Sequence, residues 1–350
     1  MEISDKFWNS YRGLKFWVIA ASFIIVVAGL KAASNLVVVF LIAVFLTAIS
    51  LSPLNWLRKK KIPGVIALIL VIIGLFGILS LLGLLMTTSL IGFGEKMPFY
   101  EQKINDSWLS LNALLFNYGL VVENFSIKQL ASPANIMSSS KNLFLSLTNF
   151  IKDPFLVLFI FIFMAMEIKS FTKKLIIVAP GSLGGMEKVI KNIRIYFGIK
   201  TLTSLATGAI VYVTLLIVGV DFALLWGLLA FILNFIPSIG SIFAAIPAVI
   251  LAFVQLGAVE GVITIIAYLL INTIIGSMIE PHLMGRNLGL SPLVVFISII
   301  FWGFILGPVG MLISAPLTMI LKIIFDSRPN TKAFGALLGD LSSLNEYKQL

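Results

Sequence analysis

FALLWGLLAFILNFIPSIGSIFAAIPAVILAFVQ, residues 222–255, carries no charged side chain from end to end. A membrane core needs about 20 apolar residues per crossing, so this stretch is long for one span and short for two. Pro237-Ser-Ile-Gly240 divides it into arms of about 15 residues, a length at which re-entrant segments are common. Residues 291–325 follow the same plan, divided by Gly307-Pro-Val-Gly310. Each divided stretch comes after an undivided one, roughly Ile199–Val218 and Ala258–Ile279. The units 199–255 and 258–325 therefore share one pattern, a helix and then a broken hairpin, and they run in opposite directions across the membrane. Their tips also match, with Pro237-x-x-Gly240 followed by Pro247, and Pro308-x-Gly310 followed by Pro316. Opposed repeats with broken helices are the signature of secondary transporters, whose solute site lies near the midplane at the breaks. Unwound backbone is tolerated at that depth only where protein buries it or it lines a cavity. Kinked, fully spanning helices are the other reading, because Gly and Pro are frequent in membrane helices.

The remainder of the chain agrees with a lipid setting. Of 350 residues, 59% are hydrophobic and 11% charged, and the mean hydropathy is +1.09. A soluble domain carries about 25% charged residues. The chain is therefore read as an all-α polytopic membrane protein with about eight hydrophobic segments, two of them the opposed hairpins. The upstream runs are Leu14–Leu30, Ala33–Leu54, Pro63–Ile91, and Pro154 to about Ile168. The first could pass for a signal peptide, but Lys31 beside the small residues makes a poor cleavage site, so it is read as a retained helix. Residues 92–153 hold five charges of each sign, and Trp108, Leu111, Leu115 and Phe116 recur at helical spacing. This predicts a small amphipathic helical segment outside the membrane, packed on the protein or lying in the interface.

Charge fixes the orientation. With the N-terminus inside, the Arg58–Lys61 loop, residues 169–200, Arg286 and the C-terminal tail all fall in the cytoplasm. With Lys6, Arg12, Lys15 and Lys322 they hold 19 of the 25 Lys and Arg; Lys31 and the basic residues of 92–153 are the others. The positive-inside rule selects this arrangement, with both termini cytoplasmic. It also accounts for the net charge of +10 without a nucleic-acid partner. The expected organisation is scaffold helices in 1–91, an extracytoplasmic segment in 92–153, and a fourth helix with its basic stretch in 154–198. A transport bundle in 199–326 and a cytoplasmic tail in 327–350 complete it.

Candidate pathway residues cluster at the breaks. Asn234, Pro237, Ser238, Gly240 and Ser241 form the first tip, with Gln255 on its return arm. Gly307, Pro308, Gly310, Ser314 and Thr318 belong to the second. Neutral hydrogen-bonding groups of this kind suit a small hydroxylated solute better than a strongly charged one. Thr264, Tyr268 and Asn272 recur every four residues and drift only about 40° per step, so they share one helix face. Such a stripe either glues membrane helices together or lines a pathway. An acid inside the bilayer costs about 2.5–3.5 kcal/mol on insertion scales and is a functional candidate by default. Glu260 and Glu280 lie about 30 Å apart along one helix, too far to act as a pair. Glu260 is expected at the interface. Glu280 is expected to pair with Arg286 and gate the cytoplasmic mouth.

Enzymatic and cofactor chemistry find little footing. Cysteine is absent and His282 is the one histidine, which leaves no disulfide, no thiolate nucleophile and no ordinary Cys/His zinc site. Neither a GxxxxGK[ST] phosphate loop nor an HExxH motif occurs. No cofactor is expected. Two alternatives to a solute permease stand beside it: a Na+/H+ antiporter using Glu280 or Glu260, and a non-transporting scaffold that binds a partner through 92–153 or 169–200.

The motifs resemble a known family. Asn234-Phe-Ile-Pro-Ser-Ile-Gly240, Glu280-Pro-His-Leu-Met-Gly285 with Leu288-Gly-Leu290, Phe301-Trp-Gly303, and Gly307 through Pro316 occur in the order found in the autoinducer-2 exporter family of bacterial permeases. The turn Ser52-Pro53…Trp56-Leu57 and the basic cluster after it are similar to that family's early cytoplasmic loop. The resemblance implies a bacterial inner-membrane homo-oligomer, a pentamer being one candidate, that exports a small polar molecule such as the quorum-sensing signal autoinducer-2. Coupling to H+ or Na+ is the corresponding expectation.

Overall fold

The computed structural model describes residues 12–106, 154–178, 183–237, 239–284, 289–327 and 331–339. Among these every regular element is helical, as lipid requires of a backbone that must satisfy its own polar groups. Helices α1 (Arg12–Ala32), α2 (Ser34–Lys59) and α3 (Gly64–Glu95) coincide with the first three apolar runs. Helix α4 (Pro154–Val178) contains the fourth. After a turn at Lys96 a helical stretch, 97–106, follows α3. The rest of the expected amphipathic segment, including Trp108, Leu111, Leu115 and Phe116, lies outside the described residues.

Helix α5 (Leu183–Val218) begins well before the expected Ile199. Val189, Ile193 and Phe197 recur at helical spacing and pack beside Val38 and Phe45 of α2, while Lys188 and Lys191 face out. The helix thus extends beyond its apolar run as an amphipathic one. Counting basic residues as a cytoplasmic stretch hid that periodicity.

The first divided stretch folds as α6 (Ala223–Leu233) and α7 (Gly240–Gln255). At about 1.5 Å per residue these helices reach roughly 16 and 24 Å, both short of a core about 30 Å thick. Helix α6 packs along α5, and α7 along α8. Helix α8 is α-helical over Ala258–Ile271, π-helical over Asn272–Ile279, and α-helical again over Glu280–Met284. Lipid tails supply little hydrophobic drive between membrane helices, so close packing has to come from small residues. Gly208 and Gly227 provide it. A Cβ on either would come within 3 Å of the other's carbonyl oxygen. Beside this contact Leu225, Trp226 and Leu229 are fully buried against Met86 and Phe93 of α3. The Phe93 ring stands edge-on to Trp226 at 5.8 Å. Ile217, Ile73 and Leu84 are exposed, as lipid-facing side chains should be.

The second divided stretch forms α9 (Pro292–Leu312) and α10 (Ser314–Asp326), and α11 (Lys332–Leu338) packs on α10. Its break comes in two steps. Gly307 leaves helical geometry at φ 68°, ψ −159°, and the chain turns at Ile313. The two tips close alike: a Cβ at Gly240 would collide with the Leu233 carbonyl, and one at Gly310 with that of Trp302.

Candidate functional site

A cavity of about 510 Å³ lies between the first hairpin tip, α5, the second half of α8 and the start of α9. Asn234 and Pro237 line it from the tip, Asn272, Ser277 and Glu280 from α8, and Tyr196 and Lys200 from α5. Its wall holds a buried ion pair. Lys200 Nζ sits 2.6 Å from Glu280 Oε1, and the side chains are only 3% and 12% exposed. Thr203 Oγ1 lies 3.2 Å from Glu280 Oε2 and 3.2 Å from the Lys200 carbonyl, placed to donate to either. The Tyr196 hydroxyl is buried and has no hydrogen-bond partner among the described residues.

Two helical stripes supply these groups. On α5 the buried residues Tyr196, Lys200, Thr203, Ser204 and Thr207 recur at three- and four-residue intervals. On α8 the stripe Thr264, Tyr268, Asn272 continues through the π-helix to Glu280. A π turn adds a residue per turn and is found disproportionately at functional sites; here it precedes the charged residue directly. The tip is tied to both stripes. Asn234 Nδ2 donates to Ser204 Oγ at 3.0 Å, and Ser241 Oγ donates to Asn272 Oδ1 at 2.8 Å. Ser204 lies about 21 Å along α5 from Val218, so the tip reaches far into the helix bundle.

The other end of the hairpin is clasped shut. The Asp221 N–H donates to Gln255 Oε1 at 2.8 Å, and Gln255 Nε2 to the Gly219 carbonyl at 3.2 Å. The stretch after α3 closes over this base. Lys96 Nζ and Tyr100 Oη reach Asp221 Oδ2 at 2.9 and 2.7 Å, and Lys103 Nζ reaches the Gln255 carbonyl at 2.8 Å. Burial works against the Asp221 charge, but hydrogen bonds from Tyr100 and Lys96 and the Lys96 ammonium outweigh it and hold the carboxyl below its usual range. Burial first, then the Asp221 carboxylate, pushes the Tyr100 phenol well above its ordinary value.

The sequence candidates separate into groups. Asn234, Pro237, Asn272 and Glu280 meet at the cavity. Ser241 ties the tip to α8, whereas Gln255 sits at the base. Thr264 Oγ1 bonds back to the Glu260 carbonyl, and Tyr268 packs in the core with a hydroxyl that meets no partner among the described residues, so this upper part of the stripe faces α7. Glu260 stands in the first turn of α8, where a helix N-terminus favours negative charge, at the end of α8 opposite Glu280. Gly307, Pro308, Gly310, Ser314 and Thr318 do not line the cavity. Gly310 serves the close turn, Ser314 bonds to the Met311 carbonyl, and Thr318 accepts from Trp302 Nε1 at 3.0 Å. The second hairpin reaches the cavity through Val295 and Ala315. Ser238 and Arg286 lie outside the described residues; the partners described for Glu280 are Lys200 and Thr203. Sequence reading missed Lys200, Tyr196 and the α5 stripe, although their four-residue spacing was visible. Lys200 stood at the end of an apolar run and read as one more cytoplasmic charge.

Residues 20–330 match the model of the AI-2E transporter family. The AI-2 transport protein TqsA of Escherichia coli K12 is 35% identical over 335 residues, spanning 95% of this chain and 97% of TqsA. A Haemophilus influenzae protein, assigned by its name to transport without a stated solute, is 36% identical over 332 residues, 92% of this chain and 95% of its own. YhhT of Escherichia coli K12, likewise named for transport alone, is 31% identical over 332 residues, covering 93% and 95%.

Proposed function

The chain belongs to the AI-2E transporter family, and from that premise we propose that it is a secondary transporter exporting a small polar solute across the bacterial inner membrane by alternating access at the cavity beneath the first hairpin tip. The family makes it a multi-pass membrane transport protein rather than an enzyme. One observation carries the site: neutral donors and acceptors and a buried ion pair converge on a cavity of about 510 Å³ in an otherwise apolar bundle. A space of that size falls in the range of small-molecule sites, about 300–1,000 Å³. Asn234, Asn272 and Ser277 offer neutral hydrogen bonds of the kind that hold hydroxyl and carbonyl groups. Autoinducer-2, named for the relative TqsA, is the first solute to test. The orientation proposed puts the α8–α9 connection, and so the mouth of this cavity, on the cytoplasmic side.

Reconstitution of the purified chain in liposomes tests the reading. Autoinducer-2 efflux should exceed that of protein-free vesicles, and Asn234→Leu should remove most of the excess. Flux that survives both Asn234→Leu and Asn272→Leu intact would sink the cavity as the pathway.

A further inference from the structure

Lys200 and Glu280 present a problem that solute transport alone does not explain. Two opposite charges lie inside a membrane bundle, 2.6 Å apart and nearly inaccessible, on the wall of the proposed solute site. A buried pair of this kind is weak evidence for stability, since apolar residues of similar volume often do as well. Its location is more telling. Lys200 comes from α5 and Glu280 from the turn that directly follows the π-helix of α8, so the pair bridges the two helices flanking the hairpin.

We propose that this pair is the proton site coupling solute export to the proton gradient. This rests on the transporter reading above. With the cavity facing the cytoplasm, Glu280 is a carboxylate held by Lys200 and Thr203, and the neutral solute binds beside the closed pair. When the cavity faces out, a hydronium ion donates its proton to a Glu280 oxygen. The carboxylic acid no longer holds the ammonium, and Lys200 keeps its own protons. The Tyr196 hydroxyl, one helical turn away on α5 and otherwise without a partner among the described residues, accepts from Nζ in this state. The solute site is lost and the solute leaves. The protonated form returns, releases its proton to cytoplasmic water, and the pair closes again. Outward, the site carries Glu280 carboxylate, Lys200 ammonium and a neutral solute, with no net charge. Inward it carries the acid and the ammonium, a net charge of one. Each cycle thus takes one proton in and one solute out and moves one positive charge inward, so both the pH gradient and the membrane potential drive export.

The surroundings are consistent with a single exchangeable proton. Lys200 and Tyr196 on α5 are the titratable groups that line the cavity with Glu280 among the described residues. The hairpin contributes Asn234 and Pro237, and the second hairpin Val295 and Ala315, none of them titratable. Lys322 and Asp326 of α10 bond to one another. His282, on the turn beside Glu280, is exposed.

Two measurements on the full chain decide the proposal. In liposomes, autoinducer-2 efflux should accelerate with an imposed proton gradient and, at equal pH, with an imposed potential. Glu280→Gln, fixed in the uncharged form in which the solute site is lost, should respond to neither. Infrared difference spectroscopy on the purified protein should show a protonated-carboxyl band on acidification that is absent in Glu280→Gln. If autoinducer-2 moves but Glu280→Gln keeps its gradient response, or the band persists in that variant, the proton site is wrong and the transporter reading stands. If autoinducer-2 does not move at all, that solute assignment fails. The band and its loss in Glu280→Gln then decide the proton site by themselves.

Discussion

At the scale of single residues, the ion pair and the Asp221 clasp behave differently because their surroundings differ. Lys200→Met should leave the Glu280 charge buried without a partner, a loss of about 3–5 kcal/mol for a pair broken on one side. Adding Glu280→Gln should recover most of it, giving a large coupling in a double-mutant cycle read by thermal melting in detergent. Independent effects that simply add would show that the two charges do not hold each other. Asp221 is partly exposed, and its ion pair with Lys96 contributes about 0–1 kcal/mol at most. Its carboxyl is held below the usual range, so its contribution is present above the unfolded value of about 3.9 and is lost as pH falls through the lower folded value. The melting temperature should therefore owe no slope to Asp221 between pH 5 and 8, with its contribution fading only in stronger acid. Asp221→Asn should reduce that acid-side slope.

At the scale of elements, glycine decides how closely helices approach. Gly208→Ala or Gly227→Ala should force α5 and α6 apart, at a cost of about 1–3 kcal/mol for overpacking. Either should also disturb the Asn234–Ser204 tether one to two turns away. Gly74→Ala is the control, since a Cβ there meets nothing within 4 Å. Equal melting points for Gly208→Ala and Gly74→Ala would mean that the close contact does not matter. The hairpin itself was readable in the sequence, because Pro237 and Gly240 interrupt an otherwise unbroken apolar run. The π-helix was not. Nothing in Asn272-Thr-Ile-Ile-Gly-Ser-Met-Ile279 departs from an ordinary helix pattern, and its geometry depends on where the flanking stripes must point. Hence Asn272 was readable as a face and Glu280 as a charge, while the partner of Glu280 was not.

Across the whole molecule, the apolar composition and the basic residues made the membrane setting and a topology readable. Which residues meet at the cavity depended on long-range packing that no local pattern carries. The second tip matches the first in sequence, yet Ser314 and Thr318 are committed to holding their own hairpin. The chain has no cysteine, so single cysteines can map access without a background. Ser277→Cys should react with a membrane-impermeant thiol reagent from the cytoplasmic side and be protected by bound solute. Ile217→Cys, on the lipid-facing surface, should be indifferent to solute. The clasp at the hairpin base has a mechanical consequence. Gln255, Asp221, Lys96 and Lys103 hold one end of α6–α7, whereas single hydrogen bonds from Asn234 and Ser241 tether the other. The hairpin is thus a lever on a fixed fulcrum. With an arm of about 24 Å along α7, a rotation of about 10° at the base would carry the tip some 4 Å, enough to break both tethers without disturbing the clasp. Access could then alternate by tilting one short arm, leaving the surrounding helices and their lipid contacts almost where they are.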